Sequence, residues 1–180
     1  ELADKLLSHG SELWNLYGPT ETTIWSTIKK ILPTDKQLTI GRPINNTQVY
    51  IMDEYGKPMP VNQQGELYIG GDGVADGYLN RAELSAEKFV PDVYSGKQGK
   101  LYRTGDVGKL LANGEIQCLG RIDHQVKIRG HRIELGEIES AIAGREGGKQ
   151  NVVLAREDVA GVERLVAYVT MHAAEDNTGN

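Results

Sequence analysis

Glycine recurs so often along this chain, 22 times in 180 residues, that the sequence favours many short strands joined by tight turns over a bundle of helices. Alternating apolar and polar residues mark strands at Gln48–Met52, Gly65–Ile69, Gln117–Leu119 and Gln125–Ile128. Asp53–Pro58 and Leu111–Glu115 read as turns, the second folding Val107–Leu111 back on Glu115–Leu119 as a hairpin. Residues 1–8 and Ala82–Phe89 read as helical. Glu134–Ala143 is the clearest helix, with Leu135, Ile138 and Ile142 at spacings of three and four. After Gly144–Lys149 two strand-like runs follow, Asn151–Ala155 and Arg164–Met171. The pattern changes near Arg121–Asp123, from mostly β to a small α+β unit, and predicts a boundary there between 1–121 and 122–180.

The remaining composition narrows the partners. Apolar residues make up 39% of the chain, enough for a packed core, and the net charge is −5 with no basic run, which argues against a nucleic-acid partner. A single cysteine, Cys118, excludes an internal disulfide and suits a reducing compartment. No apolar stretch approaches the roughly 18 residues that a membrane helix needs, and no signal peptide opens the chain, so a cytoplasmic protein without membrane association is expected. The chain opens on Glu1 rather than Met, a motif begins already at Asn15, and residues 173–180 are small and polar, so a piece of something longer is expected.

Three strings then stand in order: Tyr17-Gly18-Pro19-Thr20-Glu21, Tyr102-Arg103-Thr104-Gly105-Asp106, and Gly120-Arg121-Ile122-Asp123-His124-Gln125-Val126-Lys127-Ile128-Arg129-Gly130. Singly each has an ordinary explanation. Gly18-Pro19 is a common turn, an aspartate beside Thr104-Gly105 at a strand end is a common turn-former, and Arg121 reads as a surface cation.

Together, roughly eighty and twenty residues apart, the three strings resemble those of the adenylate-forming enzymes, which include acyl-CoA synthetases, luciferase-like enzymes and the adenylation domains of nonribosomal peptide synthetases. The resemblance covers Asn15 to about Met171. It implies an α+β fold, in which a mostly β, distorted-barrel end of a large adenylation core is followed by a small α+β C-terminal domain. It also implies an activity: ATP-dependent conversion of an amino-acid carboxylate to aminoacyl-AMP, then transfer to the phosphopantetheine thiol of a peptidyl carrier domain. Such chemistry needs a slot for adenine, a donor for the α-phosphate and a carboxylate for Mg2+.

Residue by residue, the resemblance implies that Tyr17 stacks on adenine beside Gly18 and that Asn15 meets its exocyclic amine. Thr20 would offer its hydroxyl to the α-phosphate and Glu21 would hold Mg2+, offsetting charge as pyrophosphate leaves. Asp106 would accept hydrogen bonds from both ribose hydroxyls, and Arg121 would reach ribose and phosphate from the far side. Leu16, Ile24 and Trp25 fall where peptide-synthetase domains line the substrate pocket; core packing is the alternative for each. Asp123 occupies the hinge about which the small domain rotates between half-reactions. Lys127–Arg132 would enter the site for thioester formation, with Lys127 among the catalytic residues; an ordinary hairpin is compatible with that role. Gly65–Arg81 also matches a family stretch and reads as mainly structural.

Three family parts do not occur in the sequence: a Ser/Thr/Gly-rich loop ending in Lys-Gly, an upstream aspartate for the substrate amino group, and a late lysine, since no Lys follows Lys149. The remainder of an adenylation domain is therefore an expected partner, and these 180 residues alone are expected not to catalyse ATP–pyrophosphate exchange. Gly144–Lys149 replaces the family's polar His-Pro loop, and marks an inserted domain, an engineered junction or a plain Gly-rich loop. A small MbtH-like helper protein would bind near Phe89–Asp92, where Pro91 departs from the alanine often seen. Two alternatives stay open: an acyl- or aryl-CoA ligase of the same fold, and a non-catalytic module that binds a carrier protein.

Overall fold

The computed structural model describes residues 2–10, 12–122, 125–128, 131–145, 148–159 and 162–171. Two compact units divide the chain, Glu1–Ile122 and Asp123–Asn180. Among the described residues no helix is long and apolar enough to cross a membrane.

In the first unit, α1 (Leu2–Leu7) leads to β1 (Leu13–Tyr17), β2 (Thr27–Ile31) and β3 (Arg42–Pro43), an antiparallel three-stranded sheet with β2 central. The register of β1 and β2 runs from Leu13↔Ile31 to Tyr17↔Thr27, so the nine residues between them form one loop off the end of the ladder. Next come β4 (Thr47–Met52), β5 (Gln64–Gly71), α2 (Ala82–Lys88), β6 (Phe89–Pro91), β7 (Lys100–Leu110) and β8 (Ile116–Arg121). These strands make a five-stranded antiparallel sheet in the order β4-β5-β7-β6, with β8 also paired to β7. A bridge between Gly41 and Ile116 ties the two sheets together. The Ile116 amide donates to the Gly41 carbonyl at 2.8 Å and the Ile40 amide to the Ile116 carbonyl at 2.9 Å, in keeping with the expected barrel-like body.

Central β5 is buried on both faces, which is why Leu67-Tyr68-Ile69 reads as an apolar run within an alternating strand. Leu67 packs with Ile40, Ile51 and Ile116 on one side; Tyr68 packs with Met52 and Leu101 on the other. Burying a side chain such as Leu67 contributes about 1.5–3 kcal/mol, so these layers carry much of the unit's stability. The turn before β5 is set by Asp53, whose carboxylate accepts from the amides of Tyr55 and Lys57 at 2.9 and 2.8 Å.

The sequence places Asp106 at a strand end, but the structure places it inside an eleven-residue strand. β7 passes from one partner to another: Lys100–Tyr102 pair with β6, and Asp106–Leu110 pair with β8. Between these halves the register against β5 slips, with Glu66 opposite Val107 but Tyr68 opposite Arg103. Gly105, at φ 73°, supplies the left-handed turn inside this bulge. Its amide donates to Glu66 Oε1 at 3.2 Å, and the Thr104 hydroxyl donates to the Leu67 carbonyl at 2.9 Å. A glycine that looks like a strand terminator is therefore a bulge, and the bulge re-aims Asp106.

In the second unit β9 (Val126–Ile128) pairs with β10 (His131–Ile133), α3 (Leu135–Ala143) follows, and β11 (Gly148–Val159) pairs with β12 (Val162–Met171). The Lys127–Arg132 segment is thus a pair of strands flanking Arg129 and Gly130, which lie outside the described residues. α3 rests on β11: Leu135 and Val153 are buried, and the Glu139 carboxylate accepts from the Val153 amide at 2.8 Å. Of the Gly144–Lys149 stretch, Gly144 closes α3 with its amide on the Ser140 carbonyl at 3.2 Å and β11 starts at Gly148; Glu146 and Gly147 lie outside the described residues.

Candidate functional site

The β1–β2 loop gathers most of the first string. Its neck is closed by the Ser26 amide on the Tyr17 carbonyl at 2.8 Å. Gly18 sits in that neck, where a Cβ would stand 2.4 Å from the Ile24 carbonyl oxygen and 2.8 Å from the Ser26 amide nitrogen. Thr20–Thr22 form a single 3-10 turn after Pro19, which leaves Thr20 exposed and turns Glu21 inward, 8% exposed. Thr22 and Ser26 share a buried hydroxyl contact of 2.6 Å beneath the turn.

Thr23 and Ile24 follow at φ 59° and 68°, a left-handed conformation that β-branched residues rarely adopt. Surrounding bonds hold them there: the Thr23 hydroxyl donates to the Gly73 carbonyl at 2.8 Å, and the Ala75 amide donates to the Glu21 carbonyl at 2.9 Å. Strain retained in this way is typical of functional loops. Its result is to present Ile24 and Trp25 to solvent, 70% and 52% exposed; Leu16, on β1, is also exposed.

Three residues from three separate strands meet at one carboxylate. Asp106 and Arg121 are opposite one another in the β7–β8 ladder, and Arg121 Nη1 donates to Asp106 Oδ1 at 2.8 Å. Arg121 Nη2 donates to the Thr104 carbonyl at 3.1 Å, fixing the plane of the guanidinium. From β1 the Tyr17 hydroxyl donates to the other oxygen, Asp106 Oδ2. The Tyr17 ring packs against the Ile40, Ile51, Leu67 and Ile116 cluster. Burial, and then the Asp106 charge, push the Tyr17 phenol well above its ordinary pKa, so it stays a neutral donor. A carboxylate has about four acceptor positions; Tyr17 and Arg121 use one on each oxygen, which leaves capacity for a further pair of hydroxyls.

The other sequence-derived candidates are placed as follows. Asn15 lies two residues before Tyr17 on β1, and its amide nitrogen donates to the Thr39 carbonyl at 2.8 Å. Glu21 is bonded to Tyr78, whose hydroxyl donates to Oε1 at 2.6 Å. Lys127 stands in the second unit in register with Arg132. Asp123 lies outside the described residues. Among the described residues no cluster of three or more His, Cys, Asp or Glu side chains could hold a metal ion.

Tyr78 and Glu66 are site neighbours that sequence reasoning missed. Glu66 receives both the Gly105 amide and Arg103 Nη2, the latter at 3.0 Å, and so holds the bulge that carries Asp106. Tyr78 stands in a Gly-rich string whose turn residues mask its aromatic; burial first, then the bond to Glu21, raise its phenol pKa. Neither residue carries a spacing signal that points to its partner.

Residues 1–79 match the family described as AMP-binding enzyme. The chain is 52% identical over 160 residues to one of the linear gramicidin synthase proteins of Brevibacillus parabrevis, an alignment covering 89% of this chain and 2% of that protein. It is 50% identical over 163 residues to a dimodular nonribosomal peptide synthase of Bacillus subtilis (strain 168), covering 90% of this chain and 7% of that one. Among solved structures it is similar to PA1221, a peptide-synthetase protein containing adenylation and PCP domains, with TM-score 0.82 and 32% identity over 96% of this chain and 36% of that one. It is also similar to a four-domain nonribosomal peptide synthetase bound to AMP and glycine, with TM-score 0.64 and 44% identity over 97% of this chain and 13% of that one. The chain thus spans only a small part of the synthases it matches, and about a third of the adenylation–PCP protein. Over residues 1–79 the chain matches the AMP-binding enzyme family, and along nearly its whole length it is similar to adenylation proteins of peptide synthetases.

Proposed function

We propose that this chain forms the nucleotide-binding side of an adenylation site that activates an amino acid as aminoacyl-AMP and delivers it to the pantetheine thiol of a carrier domain. The convergence of Tyr17 and Arg121 on the Asp106 carboxylate is the observation that carries the proposal. It supplies a half-buried acceptor of fixed orientation, suited to a pair of vicinal ribose hydroxyls, and a guanidinium suited to the adjoining phosphate. Tyr17 and Asn15 would flank the adenine, Gly18 would keep the loop neck tight, and Thr20, at the exposed start of its turn, would donate to the α-phosphate. Leu16, Ile24 and Trp25 would border the substrate side chain. Lys127 and the Asp123 hinge belong to the second step, thioester formation, and the 1–121 and 122–180 division belongs with it.

The residues present fit a magnesium ion of the kind that accompanies a nucleotide. Magnesium keeps several waters and takes one or two carboxylates together with phosphate oxygens, so Glu21 with a polyphosphate suffices where the described residues hold no three-carboxylate cluster. Such an ion would neutralise charge on the departing pyrophosphate. This chain's own contribution is to hold the α-phosphate near Thr20 and the ribose at Asp106, so that the carboxylate attacks in line.

The relatives favour the peptide-synthetase branch over a CoA ligase, being peptide synthases at 47–52% identity. The test is amino-acid-dependent ATP–pyrophosphate exchange by the full-length protein carrying this chain. Exchange stimulated by one or a few amino acids supports the reading. Stimulation by free fatty or aryl acids instead would move it to the CoA-ligase branch, and no exchange with any carboxylate would refute it.

A further inference from the structure

We infer that Tyr78 is a positioning residue for the Glu21 carboxylate, and through it for the divalent cation that accompanies the nucleotide; this rests on the nucleotide reading above. A carboxylate on a single 3-10 turn can rotate about its side-chain bonds, so a bond from outside the loop narrows where it points. Here the loop after β5 takes hold of Glu21 at two places: the Ala75 amide donates to its main-chain carbonyl at 2.9 Å, and the Tyr78 hydroxyl donates to Oε1 at 2.6 Å.

Tyr78 is in turn immobilised from outside the site. Its amide donates to the Ser85 hydroxyl oxygen at 2.8 Å, and that hydroxyl lies 2.7 Å from the Arg81 carbonyl. Gly77 allows this approach, since a Cβ there would stand 2.9 Å from the Ser85 oxygen on a backbone of φ 149°. The Tyr78 ring meets Phe89 edge-on at 5.3 Å, Phe89 leans on Tyr102 at 5.2 Å, and the Tyr78 and Tyr102 hydroxyls stand 3.5 Å apart. Glu21 is therefore held in part from α2 and β6, through a phenol that phenylalanine can replace in packing but not in hydrogen bonding. Residues that orient a ligand in this way shift metal affinity without touching the metal.

The experiment compares wild-type full-length protein with Tyr78→Phe, using Mn2+ and α,β-methylene-ATP as probes. Bound Mn2+ is followed by electron paramagnetic resonance, and nucleotide affinity without divalent cation by calorimetry in chelator. The expected result is about tenfold weaker Mn2+ binding in the ternary complex, unchanged affinity in chelator, and a thermal midpoint within a few degrees of wild type. Equal Mn2+ binding by the two proteins overturns the inference alone. A parallel loss of thermal midpoint and of chelator-condition affinity overturns it too, by assigning Tyr78 a packing role. Failure of the wild-type protein to bind Mn2+ with the nucleotide would instead overturn the nucleotide reading itself.

Discussion

Asp106 and Arg121 are register partners on adjacent strands, and the guanidinium bonds at once to the Asp106 carboxylate at 2.8 Å and to the Thr104 carbonyl at 3.1 Å. A salt bridge built into a ladder in this way has its geometry fixed by main-chain pairing. Both side chains are mostly covered, 14% and 18% exposed, so each would be costly to leave without the other.

Replacing Arg121 with Lys keeps the charge but removes the planar fork. Arg121→Lys should lower the stability of the protein by about 1–2 kcal/mol and weaken nucleotide binding several-fold. Denaturant titration and calorimetry check the two effects separately; wild-type behaviour in both would show that the fork is unimportant.

Gly18 is required by the space around it, not by its φ. In Gly18→Ala the new methyl would meet backbone on two sides, the Ile24 carbonyl and the Ser26 amide, neither of which can move without opening the loop neck. A loss of about 1–3 kcal/mol is expected, together with loss of ATP–pyrophosphate exchange. A variant as stable as wild type would contradict the neck geometry.

The Lys29–Glu115 pair, which makes no bond to Asp106, predicts a pH dependence of stability. The hydrogen bond from Lys29 holds the Glu115 carboxyl below its ordinary range, and the bond to Glu115 raises the Lys29 ammonium above its own. Stabilisation from Glu115 is complete above the unfolded carboxyl pKa, about 4.3, and disappears as pH falls through its lower folded value. Stabilisation from Lys29 is complete below about pH 10.4 and disappears as pH rises through its higher folded value. Water screens the pair, so Glu115→Gln should cost about 0.5–1 kcal/mol at neutral pH, and the difference from wild type should shrink as pH falls below about 4. Thermal unfolding across that range checks it; a difference independent of pH would contradict it.

Much of this was legible in the sequence for local reasons. Gln48–Met52 and Gly65–Ile69 carry strand-forming residues, Leu111–Glu115 has the residues of a hairpin turn, and Leu135, Ile138 and Ile142 mark α3; all four features are present. The two lysines of Thr27–Ile31 hide a strand whose place is fixed by pairing with β1. Gly105 looked like an ending because the groups that satisfy its bulge, Glu66 and Leu67, lie far back in the chain. Tyr78 reaches Glu21 across 57 residues, a contact that no local pattern encodes. The motif strings could nominate Tyr17, Asp106 and Arg121, but their meeting at one carboxylate depends on the bulge and the β7–β8 register.

The most direct test is calorimetric titration of the full-length protein, wild type and Asp106→Ala, with a non-hydrolysable aminoacyl-AMP analogue. Hydrogen bonds to a charged group contribute about 1.5–3 kcal/mol each, so the account predicts binding at least tenfold weaker in the variant, while Glu115→Gln binds as wild type does. Equal affinity in wild type and Asp106→Ala would contradict it.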